Sequence, residues 1–473
     1  MRTTLLAGLI LASLGGSALA ATPASRFTQD PYPSTYRAVP SGPVLLANAT
    51  VLTGTGERLD GTDVLLADGK VVAVGRGLSA PDGATRIDAT GKWVTPGLID
   101  VHSHLGVYPS PGVKAHSDGN EMTAPVTANV WAEHSIWAQD PGFHTALAGG
   151  VTSLQVLPGS ANLVGGRGVT LKNVASTSYQ GMKFPGAPWG LKMACGENPK
   201  RVYGGKSGPA TRMGNVAGYR AAFIDAAEYL KKNAPKAQQP KKKRWWERAS
   251  GGEGTDSGGD AGGKRDLKLD TLAGAINGEI LVHIHCYRAD EMATMLDLAK
   301  EFGFKIAAFH HGVEAYKLAD RLAQENVCGA LWADWWGFKM EAFDGIQENI
   351  AIVDRPANSC AIVHSDSDEG IQRLNQEAAK VMANAHRAGM GDIAPERAIR
   401  WVTSNAAKAL GIADRTGTLE AGKMADVVVW NQNPFSVYAK AEQVYIDGAR
   451  LYDRNDRSRQ PVSDFMLGQE VTP

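Results

Sequence analysis

Two histidines, His102 and His104, stand at the end of an apolar run that contains Trp93, Val94, Pro96, Leu98, Ile99 and Val101. Alternate side chains of a β-strand share a face, so both imidazoles project the same way. Neutral imidazole is the commonest protein ligand for a divalent metal. Three later segments repeat the theme of an apolar strand ending in His or Asp. His285 closes the run 279–285, with His283 two residues earlier on the same face and better read as a core residue. His310 and His311 follow the run 305–309; only one of an adjacent pair points inward along a regular strand, and His311, just before Gly312, is the preferred ligand. Asp366 follows the run 361–363 in His364-Ser365-Asp366-Ser367-Asp368. A carboxylate at this place can bind a metal and take the proton from metal-bound water. Asp368, further into the loop, is the competing carboxylate, and His364 is placed to flank the site and orient substrate.

A further ligand is expected from the strand in Gly190-Leu191-Lys192-Met193-Ala194-Cys195-Gly196-Glu197. Two dications roughly 3.5–4 Å apart need a shared anionic bridge to offset their repulsion. Glu197 is an ordinary carboxylate able to do this. Lys192 can do so only if carbon dioxide carboxylates its amine into an anion. The two alternatives stay open on the sequence alone. Arg167, Arg201 and Tyr203 lie in segments able to reach a substrate carboxylate.

The elements that must position these groups alternate in type. Beyond Pro96, strands at 279–285, 305–309 and 361–363 are followed by helices at 289–302, about 313–324 and 371–385. Met292, Met295, Leu296, Ala299 and Phe302 form one face of the first of these helices. Repeated strand-then-helix units with buried strands predict a parallel sheet, most simply a closed (β/α)₈ barrel over residues 97–411. In such barrels the chemistry sits where strands end and the following loops begin. Short β runs at 44–46, 51–52, 64–66 and 71–74, with an Asp68-Gly69 hairpin signal, predict a small β unit before the barrel. β texture returns at 426–430 and 444–446. Residues 44–96 and 412–460 are therefore expected to form one composite β-sandwich domain built from both chain ends.

The flanks and one interior segment lie outside that plan. Arg2, the apolar run 5–14 and Ala18-Leu19-Ala20 read as a signal peptide over residues 1–20, which implies an exported, periplasmic or secreted protein. The run is shorter than the roughly 20 residues a spanning helix needs, so stable membrane insertion is not expected. Residues 21–43 read as an extended leader. Residues 231–268, with Lys241-Lys242-Lys243-Arg244 and three Gly-Gly pairs, read as a disordered insertion in the barrel. The 49 basic and 49 acidic residues balance, which gives no electrostatic case for a nucleic-acid partner. Cys195 and Cys286 end strands beside the candidate metal site and read as free thiols, whereas Cys328 and Cys360 can pair in an oxidising compartment.

Taken together, these residues resemble the amidohydrolase superfamily, in its imidazolonepropionase-like and metal-dependent dipeptidase-like branch. The matching text runs from Pro96-Gly97-Leu98-Ile99-Asp100-Val101-His102-Ser103-His104 through Gly149-Gly150-Val151-Thr152-Ser153 and the strand ends at His285, His311 and Asp366. It closes with 403–411 and 417–426. The resemblance implies that His102, His104 and Asp366 hold one metal and that His285 with His311 holds a second. It makes Gly-Leu-Lys at 190–192 look like a carboxylated-lysine strand, and Glu197 like the bridging glutamate of other members. The cofactor expected is zinc or another divalent ion, one or two per chain, and the substrate a small molecule or peptide, with an oligomer left open. The reaction implied is cleavage of an amide, cyclic amide or dipeptide C–N bond, with Asp366 as the catalytic proton carrier. Deamination of a ring C=N and a non-catalytic exported metal-binding role are the alternatives. No Gly-x-Ser-x-Gly or His-Glu-x-x-His motif occurs, and Lys200 occupies the first glycine that a phosphate loop at Gly205-Lys206-Ser207 needs.

Overall fold

The computed structural model describes residues 25, 27–110, 112–206, 208–233, 264–335 and 337–460. The signal-peptide segment and most of the 231–268 insertion therefore lie outside the described residues. Helix Arg212–Asn233 and helix Leu267–Ile276 extend into the two ends of that insertion.

The chain begins with β1 (Val44–Leu52), β2 (Arg58–Ala67), β3 (Lys70–Gly75), β4 (Thr85–Asp88) and β5 (Trp93–Pro96). The β2–β3 hairpin turns at Asp68 and Gly69, both at positive φ (50° and 73°), as a two-residue hairpin turn requires. Next come β6 (Leu98–Ser103), β7 (Val151–Val156), β8 (Val164–Lys172), β9 (Gly190–Ala194), β10 (Leu281–Cys286), β11 (Ile306–His311), β12 (Cys328–Leu331) and β13 (Ala361–Val363). β14 (Val427–Trp430), β15 (Ala441–Ile446) and β16 (Ala449–Asp453) complete the strands.

Two eight-stranded sheets result. The first runs β16-β15-β14-β5-β1-β2-β3 with β4 paired to β1, so strands from both chain ends share one sheet around a common core. The second runs β13-β12-β11-β10-β9-β8-β7-β6 in the manner of an α/β barrel, with helices such as Ala289–Phe302 and Leu374–Arg387 following strands β10 and β13. Its two edges meet where the Asp366 N–H donates to the His102 carbonyl at 3.0 Å, nearly closing the barrel.

One strand departs from the parallel pattern. β8 runs antiparallel to both β7 and β9. Only residues 157–163 join β7 to β8, too few for the crossover that a parallel neighbour needs, so the chain must fold straight back. At its far end Lys172 ties the barrel to the end-built sheet, with Nζ 2.9 Å from both Asp426 Oδ1 and Asp447 Oδ1.

The cysteines correct the expectation for one pair. Cys195 and Cys286 are not free thiols but form a disulfide, as do Cys328 and Cys360. The reason lies in strand alternation. His285 faces the barrel interior, so Cys286 faces outward, beside Cys195 on the neighbouring strand end. Proximity in sequence to the candidate ligands did not put these cysteines on the same face as them.

Candidate metal centre

The candidate ligands reach one barrel mouth from the ends of four strands, β6, β10, β11 and β13. His102 is the penultimate residue of β6 and is fully buried, while His104 lies just beyond the strand and is partly exposed. Asp366 Oδ1 lies 3.2 Å from His104 Nε2 and 3.4 Å from His102 Nε2, and Oδ2 lies 3.8 Å from His311 Nε2. One ligand atom each from His102, His104 and Asp366 falls within 4.8 Å of the others, and the same holds for His102, His311 and His364. His285 packs on His311 with ring centroids 4.8 Å apart. The residues singled out at 102, 104, 285, 311, 364 and 366 thus share one cluster.

Local backbone geometry explains two placements. His310 follows strand alternation inward, and His311 then takes φ 70°, which turns its ring to the mouth as well. Both histidines are buried against His102, so the expectation that only one of them points inward is corrected. Asp366 sits at φ 51°. Such conformations are uncommon for residues with side chains and persist where surroundings enforce them, often at functional sites.

Lys192 is wholly buried on β9, in register with His283, and its Nζ donates to the Pro158 carbonyl at 2.8 Å. Burial pushes its ammonium down to about 7, although the Asp366 carboxylate opposes the shift. Glu197 instead opens a helix, Glu197–Tyr203, and pairs with Lys339 at 3.4 Å. Arg201 on the same helix is exposed, while Tyr203 is buried. Asp368 is exposed. Arg167 is not in a substrate loop: it is buried on β8 between Trp131 and Trp189, with its guanidinium bound to Thr271 and the Phe27 carbonyl.

Several groups at the mouth went unnoticed in the sequence. Asp100, two residues before His102, accepts from the His102 and Ser365 N–H groups at 3.1 and 3.2 Å, and the Ser365 hydroxyl donates to it too. Burial pushes its carboxyl up to about 7 against these hydrogen bonds. Strand alternation from His102 was the signal that could have found it. Trp332, the first residue after β12, stacks on His311 at 4.2 Å, and Tyr287 packs edge-on to His285 at 4.5 Å. Lys339 lies over Tyr287 and donates to Asn198 Oδ1 at 3.1 Å, and Asn198 Nδ2 lies 3.3 Å from His285 Nε2. No periodicity marks residues on such long loops.

The cluster fits a metal. His285 Nδ1, His311 Nδ1 and both ring nitrogens of His364 are buried without a hydrogen-bond partner among the described residues. Unpaired buried polar atoms are costly, and so many in one mouth are the signature of groups shaped for a ligand. Burial also drives His102, His285, His310 and His311 well below the usual imidazole range, His364 to about 4 and His283 to about 3. Neutral imidazole is the form that binds metal.

These shifts predict acid lability of chelator-treated protein. Below about pH 6.5 the unfolded chain protonates these six imidazoles while the folded chain does not, so stability falls as pH falls toward 4. Asp100 acts oppositely: its carboxyl keeps its proton in the fold up to about 7 but loses it near 3.9 when unfolded, removing stability as pH rises. Six groups outweigh one. The melting temperature is expected to drop steadily from pH 6.5 to 4; a flat profile there would show that the imidazoles are not shielded from solvent.

Comparison with known proteins places the fold and the family. The model of the amidohydrolase family matches residues 353–451. Amidohydrolase tasK of Hapsidospora irregularis is 32% identical over 444 residues, covering 87% of this chain and 43% of that protein, so the chain spans less than half of that relative's length. A dihydroorotase of Citrifermentans bemidjiense is 36% identical over 107 residues, 23% of this chain and 20% of its own. The crystal structure of an amidohydrolase from Thermotoga maritima MSB8 is similar at a TM-score of 0.75 and 36% identity, covering 87% of this chain and all of that one. With 36% identity over the whole of that solved amidohydrolase, the chain belongs to the amidohydrolase family.

Proposed function

We propose that this protein is a metal-dependent hydrolase of C–N bonds in amides, cyclic amides or dipeptides. The observation that carries this reading is the convergence of His102, His104, His285, His311 and Asp366 at one mouth, with imidazole nitrogens left unpaired there. Membership of a generally metal-dependent family, and names such as dihydroorotase among the relatives, support it. His102, His104 and Asp366 would hold one ion and His285 with His311 a second, and Lys192, if carboxylated, would supply an anionic ligand to them. Glu197 is the weaker bridge because its carboxylate is already turned to Lys339.

A bound divalent ion such as zinc supplies Lewis acidity, acidifying water toward neutrality and polarising a carbonyl oxygen. The residues do the rest. Asp366, largely buried and beside three imidazoles, takes the proton from the attacking water and passes it to the leaving nitrogen. Trp332 and Tyr287 form an aromatic wall that excludes water and suits an apolar substrate group. Lys339, paired with Glu197 in this structure, is the cation set beside that wall and would turn to a substrate carboxylate. The end-built sheet is read as the composite sandwich that braces the barrel. Two disulfides suit an oxidising, exported location.

The test is metal analysis before and after chelation, together with a panel of dipeptides, lactams and aminopurines. Hydrolysis of a dipeptide or lactam is expected, lost on chelation and restored by zinc. Ammonia release from aminopurines alone, or hydrolysis indifferent to chelation, would overturn the reading.

A further inference from the structure

Behind the candidate ligands lies a row of side chains that the mechanism above does not use. His102 Nδ1 is 2.8 Å from His310 Nδ1, and His310 Nε2 is 2.9 Å from His283 Nδ1. His283 Nε2 in turn lies 3.3 Å from the Gln155 side-chain amide. His102, His310 and His283 are fully buried and Gln155 is 1% exposed, so the row ends inside the barrel and reaches no solvent.

Its hydrogen bonds admit one consistent direction once His102 Nε2 faces the metal position shared with His104 and Asp366. A ligating nitrogen offers its lone pair, so the His102 proton resides on Nδ1 and is donated to His310 Nδ1. The His310 proton then resides on Nε2 and is donated to His283 Nδ1, which leaves the His283 proton on Nε2. That proton needs an acceptor. Gln155 Nε2 is a donor, yet Gln155 Oε1 is buried without a partner among the described residues. Amide oxygen and nitrogen are interchangeable by a half-turn that hydrogen-bond logic must decide. The half-turn places Oε1 opposite His283 Nε2 and gives that oxygen a donor and the His283 proton an acceptor. Gly190 supplies the room: a Cβ there would lie 2.7 Å from Gln155 Nε2 and 3.0 Å from His283.

We propose that His310, His283 and Gln155 are positioning residues: a closed hydrogen-bond row, terminated by the Gln155 carbonyl oxygen, that fixes the ring of His102 with Nε2 aimed at the metal. This rests on the metal-dependent reading of the site. Partners behind a metal-binding histidine fix its tautomer and ring orientation, and losing one weakens metal binding by about 10–100-fold.

Gln155→Met keeps the length but removes the acceptor, and Gln155→Glu keeps the acceptor. Zinc affinity, measured by competition with a chromophoric chelator, is expected to fall about 10–100-fold in Gln155→Met and to stay within a few-fold of wild type in Gln155→Glu. A merely structural role would weaken both variants alike, and that result, or two unaffected variants, overturns the proposal. Long-range proton–nitrogen spectra of the zinc-loaded wild type give a second reading that needs no variant. They are expected to show the proton of His102 on Nδ1 and those of His310 and His283 on Nε2; any other pattern overturns the row. Wild-type protein that binds no zinc would instead overturn the metal reading beneath it.

Discussion

Asp366→Asn is expected to lower kcat/KM for amide hydrolysis by about 10²–10⁴-fold, the range that a general acid–base group contributes. That corresponds to about 3–5 kcal/mol of lost transition-state stabilisation. An asparagine keeps the shape but cannot take a proton, and it removes an anionic oxygen that lies 3.2 and 3.4 Å from two imidazoles. The fold is expected to survive. The barrel edge closes through the backbone N–H of Asp366, which the substitution leaves in place, and the side chain is about one-fifth exposed. The neighbouring buried carboxylate, Asp100, is the one that holds local structure, through three hydrogen bonds to the 102 and 365 positions. Steady-state kinetics, with circular dichroism to verify the melting temperature, decides the matter. Wild-type turnover in Asp366→Asn would remove Asp366 from the chemistry.

What could be read before the structure was what repeats along the chain. The apolar face of 289–302 matches the observed helix Ala289–Phe302, and the strand expected at 361–363 is Ala361–Val363. The rule that chemistry gathers at strand ends placed His102, His104, His285, His311 and Asp366, because each sits within a few residues of its strand's last apolar position. It failed where geometry departs from the repeat. β8 looks like any buried strand, and its direction depends on the length of the connection before it rather than on its own residues. The left-handed turn at His311 brings two adjacent histidines inward, which no alternation rule allows. Cys195 and Cys286 alternate with inward residues, so the rule that places His285 inside puts its neighbour outside; applied one residue further, it would have paired them. Lys339 and Trp332 come from the segment after β12, whose path depends on tertiary packing alone.

Lys192→Met is expected to reduce the zinc held per chain and to depress hydrolysis by on the order of 100-fold or more, since even groups that only support ligands cost about 10–100-fold. The argument starts from protonation. Carbon dioxide is attacked by the lone pair of a neutral amine, forming an N–C bond, and the nitrogen then sheds a proton to leave a carbamate anion. An ordinary lysine, with a pKa of about 10.4, is neutral in only about one molecule in 2,500 at pH 7. Burial brings Lys192 down to about 7, so a far larger share is neutral at that pH. The product keeps one N–H, enough to retain the 2.8 Å hydrogen bond to the Pro158 carbonyl. It also replaces a buried cation, which opposes metal binding, with an anion able to join two dications. Lys192→Glu supplies a shorter carboxylate in the same direction and is expected to recover part of the activity that methionine loses. Wild-type protein reconstituted with zinc under carbon-dioxide-free gas is expected to stay poorly active until bicarbonate is added. Full activity in Lys192→Met, or reconstitution indifferent to bicarbonate, would shift the bridging role away from Lys192 and back to Glu197, whose own substitution by glutamine would then have to abolish turnover.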